Sequence, residues 1–208
     1  MPRPSAREQI VQAGLKCLAT KGFNGVGVQD ITDTAGVPKG SFYNHFESKE
    51  QLFAVAVNEV LDAHGALLDA LTAAVEDPAE TFASSFRLTG RLFRRRPEAC
   101  RIVLNHALAL ISSDRGLAPR AKRDIAAAAA AGRFRIADPE LAMAVAGGAL
   151  MGLGQLLSDQ PERDDAEATD KVTEDVLRMF GLSAKEARRL CQVPLPDLDE
   201  LGRAGSAA

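Results

Sequence analysis

The chain has 208 residues with 25 basic and 28 acidic side chains, and its net charge of −3 excludes a polycation that coats nucleic acid. With 46% hydrophobic and 25% charged residues it has the composition of an ordinary globular protein, neither disordered nor fibrous. The length suits one large domain or two small ones. Three scattered cysteines, Cys17, Cys100 and Cys191, show no disulfide framework or metal spacing and favour a reducing compartment.

Signals for helix starts and stops recur along the chain, whereas the alternation typical of strands is almost absent. Ser5 and Glu8 have the spacing of a capping box that opens the first helix, and Gly22 is expected to end it. A second helix is predicted over residues 28–35, with Gly36 as its stop. Pro38 then suits the first turn of a third helix, because proline has no N–H to leave unpaired there.

Longer helices are predicted after the third, and together they indicate an all-α fold. Their expected ranges or starts are 48–73 with a Ser48–Gln51 capping box, 78 onward, 97 onward, 118–131, 139 onward, 164–180 and 183–192. The tail 194–208 is expected to be flexible. The uncharged stretch 141–158 is near the lower length limit for a membrane span, but its glycines predict a core helix and no membrane association.

Half of the ten aromatic residues crowd into a short stretch and indicate a small separate core; they are Phe23, Phe42, Tyr43, Phe46 and Phe53. Within it, a helix, a glycine-containing turn and another helix follow one another over about residues 27–46. This is the layout of a helix-turn-helix unit, whose second helix enters the DNA major groove. A similar layout also serves for plain protein packing, so the pattern alone leaves both interpretations open.

If Phe42 and Phe46 face inward, the opposite side of the third helix presents groups suited to DNA. The candidates are Lys39, Ser41, Tyr43, Asn44 and His45, which can bond phosphates, sugars or base edges. Gly40 carries no side chain that would hold the helix away from the duplex. Lys49, at the start of the next helix, adds a further positive charge.

Residues 5–60 closely resemble the N-terminal domain of the TetR family of transcriptional regulators. The resemblance rests on Gly22-Phe23, Val28-Gln-Asp-Ile31, Ala35-Gly-Val-Pro-Lys-Gly-Ser-Phe-Tyr-Asn-His-Phe46 and Ser48-Lys-Glu-Gln-Leu52. It implies phosphate contacts by Lys39, Ser41, Tyr43, His45 and Lys49, and base selection by Gln29 and Asn44. Where the family usually has a capping Thr or Ser that also contacts a phosphate, this chain has Gly27, which leaves only a backbone N–H for that contact.

The same resemblance implies a homodimer that reads a palindromic operator through a domain at residues 5–50, and a larger helical domain at 51–193 that binds a small organic effector. We therefore expect a DNA-binding regulator, a repressor that its effector releases, without a cofactor and located in the cytoplasm. The charge agrees, because residues 1–49 carry net +2 and the remainder net −5. The alternatives are a constitutive DNA-binding protein, or a helical enzyme or carrier, although the sequence offers no catalytic or metal-binding motif.

Two sets of residues in the second domain carry weaker hypotheses. Ala144, Gly148 and Gly152 form a stripe of small residues at helical spacing, which suits either a dimer contact or internal packing. Phe86, His106, Leu110 and Met143 could line an effector cavity. The interpretation that competes with an effector cavity is that the row Phe82, Phe86 and Phe93 belongs to the core. Separately, Cys100 has no nearby cysteine to support a redox role.

Overall fold

The structure, a computed structural model, describes residues 4–95, 97–105 and 114–196. These ranges contain helices and no strand, which confirms the predicted all-α fold. The helices are α1 (Ala6–Gly25), α2 (Val28–Ala35), α3 (Lys39–Tyr43), α4 (Lys49–Thr72), α5 (Pro78–Arg95), α6 (Pro97–Asn105), α7 (Leu117–Ala130), α8 (Pro139–Asp159), α9 (Asp165–Met179) and α10 (Ala184–Gln192). The predicted tail at 194–208 lies mostly outside the described residues.

Most helix boundaries follow the local chemistry that predicted them. At the start of α1 the Ser5 N–H donates to the Glu8 carboxylate at 2.7 Å, and the Glu8 N–H donates to Ser5 Oγ at 3.2 Å. Gly36 ends α2 with a φ of 68° in the left-handed region, where glycine is favoured. Asp138 accepts from the first free N–H groups of α8, as an N-cap should.

Two helix ends differ from the prediction. Gly22, with a φ of 69°, kinks α1, but helical residues continue beyond it to Gly25. At α4 the Gln51 N–H donates to Ser48 Oγ, whereas the Gln51 side chain accepts from the Glu47 N–H, one residue before the position that a capping box uses. Residue spacing indicates which side chains can cap or end a helix, but it does not show which backbone N–H a side chain reaches or whether helical residues resume after a glycine.

The described residues form two large hydrophobic cores and a smaller cluster of Phe93, Cys100, Leu153 and Leu157. The first joins α1 to α3 with the first half of α4, and includes the fully buried Phe42 and, on α4, residues down to Leu61. The second lies among α5, α7, α8, α9 and α10, where the rings of Phe82, Phe134 and Phe180 lie 5.2–5.6 Å apart. A boundary at residue 50 stays a prediction, and α4 physically spans it.

Helix α8 is, within the described residues, the one helix long and apolar enough to cross a membrane. Length and composition alone give that result, and the core helix of a globular protein meets the same criterion. One side of α8, including Met143, Ala146 and Leu153, is buried against the rest of the chain. These contacts are those of a core helix that leaves its other side exposed.

Candidate DNA-binding surface and ligand cavity

Buried aromatic rings fix the orientation of the short helix α3. Phe42 is completely buried and packs its ring 5.8 Å from that of Phe46, which is also buried. Because both rings face the first core, the other side of α3 must face solvent. The residues predicted to contact DNA are accordingly exposed, namely Gln29, Lys39, Gly40, Tyr43, Asn44 and His45, with Ser41 partly buried.

Tyr43 stands out on this surface because it is a large aromatic side chain left 56% exposed. Its ring lies edge-on to Phe42 at 5.3 Å, so the buried neighbour holds it in place while its hydroxyl faces solvent. Gln29 on α2 is also exposed, but its amide already donates to Asp33 at 2.7 Å. A base contact by Gln29 would therefore have to replace this bond.

Lys49 has an intramolecular role that sequence reasoning missed. Its ammonium donates to the carbonyls of Phe23 at 3.1 Å and Val26 at 3.0 Å, and lies 4.8 Å from the centre of the Phe23 ring. These bonds tie the start of α4 to the connection between α1 and α2. Because an ammonium has three N–H donors, one remains for the phosphate contact that the resemblance implies.

The N-terminus of α2 differs from the expectation for Gly27. Its backbone N–H, which was expected to serve a phosphate, donates instead to the Asp30 carboxylate at 2.8 Å. The same carboxylate accepts from Lys21. The bond from Lys21, and to a smaller extent the bond from Gly27, holds the pKa of Asp30 below its ordinary value. Asp30 therefore supplies the half of a capping box in which the third helical residue accepts from the N-cap N–H, while the hydroxyl half is absent at Gly27.

Replacement of Gly40 by alanine separates folding from DNA contact. A Cβ at this position would meet nothing within 4 Å, so we expect the free protein to keep its stability or gain up to about 1 kcal/mol. DNA affinity should fall, because the methyl group would stand between the helix and the duplex. Urea unfolding and fluorescence anisotropy with operator DNA measure the two effects. Unchanged affinity would show that the backbone at Gly40 does not approach DNA.

A cavity of about 90 Å³ lies among α4, α5, α7 and α8. Phe86 and Met143, two of the predicted effector residues, line it, whereas His106 and Leu110 lie outside the described residues. The row of phenylalanines also belongs to the core, since Phe82, Phe86 and Phe93 are all buried. The two interpretations of Phe86 are thus compatible, because a core residue can also face a cavity.

Charged groups that sequence reasoning missed lie at one end of this cavity. Asp69 of α4 and Arg120 and Asp124 of α7 form part of its wall. Arg120 donates to Asp69 at 2.9 Å, and Arg123 bridges Asp69 at 2.7 Å and Asp124 at 2.8 Å. Arg123 and Asp124 are adjacent in the chain, but Asp69 lies more than fifty residues from both arginines, so no local motif could have indicated the network.

Arg120 of this network packs directly on the backbone of α4 at Gly65. A Cβ at Gly65 would lie 2.6 Å from Arg120 Cδ and 2.7 Å from its Cζ, so a larger residue there would require the Arg120 side chain to shift. Arg120 also reaches Asp62 at 3.4 Å and donates to the Gly116 carbonyl at 2.8 Å. The cavity wall is therefore joined to α4, the helix whose first turn holds Lys49.

The stripe of Ala144, Gly148 and Gly152 is exposed along α8. A Cβ at Gly148 or Gly152 would meet nothing within 4 Å, so neither glycine packs against the described part of the chain. Leu141, Val145 and Leu156 on the same helix are exposed large hydrophobic residues. Internal packing, the alternative interpretation of the stripe, therefore has no support in the described contacts.

Redox or metal chemistry gains no support from the side chains that the structure describes. Cys100 is buried, and burial raises the pKa of its thiol to about 11, which disfavours the reactive thiolate. Within the described ranges, no three His, Cys, Asp or Glu side chains are grouped so that they could hold a metal ion.

Comparison with known proteins covers both parts of the chain. A family profile described as bacterial regulatory proteins, tetR family, matches residues 10–56, and a profile described as tetracyclin repressor-like, C-terminal domain, matches residues 77–192. The crystal structure of RolR in complex with resorcinol superposes with a TM-score of 0.70 and 29% sequence identity, over 93% of this chain and 96% of that one.

Curated relatives match over a shorter length. The HTH-type transcriptional repressor DhaR of Mycobacterium sp. is 54% identical over 50 residues, which are 24% of this chain and 25% of DhaR. The HTH-type transcriptional repressor KstR2 of Mycolicibacterium smegmatis is 34% identical over 86 residues, 39% of this chain and 42% of KstR2. The chain thus spans less than half the length of these two relatives.

Proposed function

The chain belongs to the TetR family of bacterial regulatory proteins, and we propose that it is a homodimeric repressor that leaves its operator when a small organic molecule occupies the cavity. The observation that carries this proposal is the position of α4. Its first turn holds Lys49 beside the predicted DNA surface, and farther along Leu61, Leu68 and Asp69 line the cavity.

DNA binding is supported by the exposed set on and around α3. Lys39, Tyr43, Asn44 and His45 are free of the cores, while buried Phe42 holds the helix rigidly beneath them. The modest charge of +2 over residues 1–49 means that affinity rests on a few placed contacts. We infer that Lys39, Ser41, Tyr43, His45 and Lys49 contact phosphates and that Gln29 and Asn44 face bases.

A homodimer is supported by the uncovered face of α8. Two recognition helices must stand about 34–36 Å apart to enter successive major grooves of a palindromic operator, which requires two protomers in a defined arrangement. A two-fold axis at Gly148 and Gly152 would let two copies of α8 approach closely and cover the exposed Leu141 and Leu156.

Regulation by an effector is supported by the cavity and its bonds to α4. A ligand shifts the equilibrium between DNA-binding and released forms only by its differential affinity for the two. The Arg120 and Arg123 bonds to Asp69 give such a ligand a physical route to α4. RolR, whose structure contains resorcinol, supports a small organic ligand. We infer a cytoplasmic regulator without a cofactor or enzymatic activity, and constitutive DNA binding remains the second candidate.

The test is binding to the DNA beside the protein's own gene, titrated with salt, for the protein and for Lys39→Ala and Tyr43→Ala. A hydrogen bond to a charged group contributes about 1.5–3 kcal/mol, so each variant should bind at least roughly tenfold more weakly. Lys39→Ala should also flatten the salt dependence by about one phosphate contact per protomer. Lys185→Ala, an exposed lysine on α10, is the matched control and should bind as the parent does.

The predicted DNA surface is refuted if Lys39→Ala and Tyr43→Ala both bind DNA with the affinity of the parent and of Lys185→Ala. Release of DNA is tested separately by adding small organic compounds to the complex. The compounds to follow are those that stabilise the protein against heat. If these compounds leave operator affinity unchanged, the chain is a constitutive DNA-binding protein and the effector-released repressor is refuted.

A further inference from the structure

The cavity carries enough chemical detail to define the class of its ligand. We propose that it binds an uncharged molecule of one ring whose hydroxyl group donates a hydrogen bond to Asp124. The identity of this ligand as the effector rests on the proposed function, but the binding chemistry does not, because it follows from the cavity wall alone.

Size and polarity limit the ligand to a single ring. The cavity of about 90 Å³ is smaller than the roughly 150 Å³ apolar cavity that holds benzene in another protein, which favours a ligand no larger than a single ring. Met143 and Met151 line it, and their flexible side chains can move enough to admit a small ring. Most of the remaining wall is apolar and includes Leu61, Leu68, Phe82, Phe86, Val103 and Leu150.

Asp124 is a buried carboxylate of the wall, and its hydrogen bonds within the described residues reach only one of its two oxygens. The residue is only 8% exposed, and its Oδ1 accepts from Arg123 Nε at 2.9 Å and forms an ion pair with Arg123 Nη2 at 2.8 Å. No hydrogen bond to Oδ2 comes from the part of the chain that the structure describes. Burial raises the pKa of this carboxyl, as expected for a carboxylate with too few partners. A donor on the ligand would complete its hydrogen bonding.

The charges around Asp124 select a neutral donor. Asp62, Asp69 and Asp124 face two guanidinium groups, and this network is net negative by one charge. Arg120 already donates through Nε and Nη1 to the carboxylates of Asp69 and Asp62. An anionic ligand would therefore meet net repulsion, and an organic cation would lose its hydration among apolar side chains. A neutral hydroxyl avoids both costs.

The other polar groups of the wall do not alter this selection. The hydroxyls of Ser85 and Thr89 also line the cavity, and Thr89 Oγ1 donates to the Ser85 carbonyl at 2.8 Å. Thr89 Oγ1 also lies 3.1 Å from His64 Nε2, so its hydroxyl is engaged within the chain, whereas the Ser85 hydroxyl can either donate to a ligand or accept from it. The carboxylate of Asp124 can only accept while it is ionised, and it therefore determines the chemical class.

Three probes of similar size test the proposal, namely phenol, toluene and benzoate. Calorimetric titration of the full chain should show phenol binding about 10- to 100-fold tighter than toluene, the range for a hydrogen bond to a charged acceptor, and no binding of benzoate. In Asp124→Leu this preference should disappear or reverse. Asp124→Asn keeps an uncharged acceptor and should retain a smaller preference, and it decides the question if the leucine variant does not fold. Asp62→Asn, a carboxylate of the same network outside the cavity wall, should keep the full preference.

Equal affinity of phenol and toluene for the parent chain overturns the proposal, as does a phenol preference that survives in both Asp124 variants. Failure of all three probes to bind also overturns it. Operator binding, measured in parallel, separates this inference from the proposed function. Phenol bound through Asp124 without release of DNA would contradict the effector switch alone. A compound that releases DNA and binds both Asp124 variants as tightly as the parent would support the effector switch and contradict the role of Asp124.

Discussion

Gly148→Arg is expected to separate the homodimer while leaving each protomer folded. The position is open, since a Cβ there meets nothing within 4 Å of the same chain, so the new side chain costs the protomer little. Across a two-fold axis, however, two arginines would face each other in an apolar interface, and buried unpaired charges cost several kcal/mol. We expect the dimer dissociation constant to rise at least about 100-fold. Multi-angle light scattering and sedimentation equilibrium measure it.

Loss of the dimer should also remove most operator affinity. Two linked recognition helices gain on the order of 10²- to 10⁴-fold over one, because the second contact becomes intramolecular. Ala126→Arg, an equivalent change on the exposed side of α7, is the control and should remain a dimer with parental DNA affinity. A Gly148→Arg protein that keeps the dimer mass would place the interface elsewhere.

Phe42→Ala is expected to produce the largest loss of stability in the DNA-binding part. Phe42 is completely buried and its ring contacts those of Phe46 and Tyr43. Truncating a buried phenylalanine to alanine typically costs about 3–5 kcal/mol, since transfer and cavity terms add. Because this core is small, the N-terminal helices should unfold at a lower denaturant concentration than the rest. Urea titration followed by circular dichroism and by DNA binding measures the effect.

The adjacent Tyr43→Ala variant is the matched comparison for this experiment. Tyr43 is 56% exposed, so its removal should cost less than about 1 kcal/mol of stability while weakening DNA binding. Neighbouring positions in one helix would thus show opposite effects. If Phe42→Ala lost no more stability than Tyr43→Ala, the orientation of α3 described above would be wrong.

The sequence predicted the elements of the DNA-binding surface well because its signals there are local. Capping residues at Ser5, the glycine stop at Gly36 and the proline start at Pro38 each act within a few residues of the chain. Helical periodicity likewise separated buried Phe42 from exposed Tyr43. The stripe of Ala144, Gly148 and Gly152 was also visible as spacing, although spacing could not show which side of α8 the chain covers.

The sequence by itself determined the all-α fold, the family and the polar set on α3, because caps, turns and periodicity are encoded within single helices. Only the tertiary structure decided that Lys49 binds the carbonyls of Phe23 and Val26, and that Asp30 occupies the Gly27 N–H. It alone brought Asp69, Arg120 and Asp124 to one cavity wall. Such groups meet through the packing of helices that are distant in the chain, and no local pattern records which distant partner satisfies a buried charge.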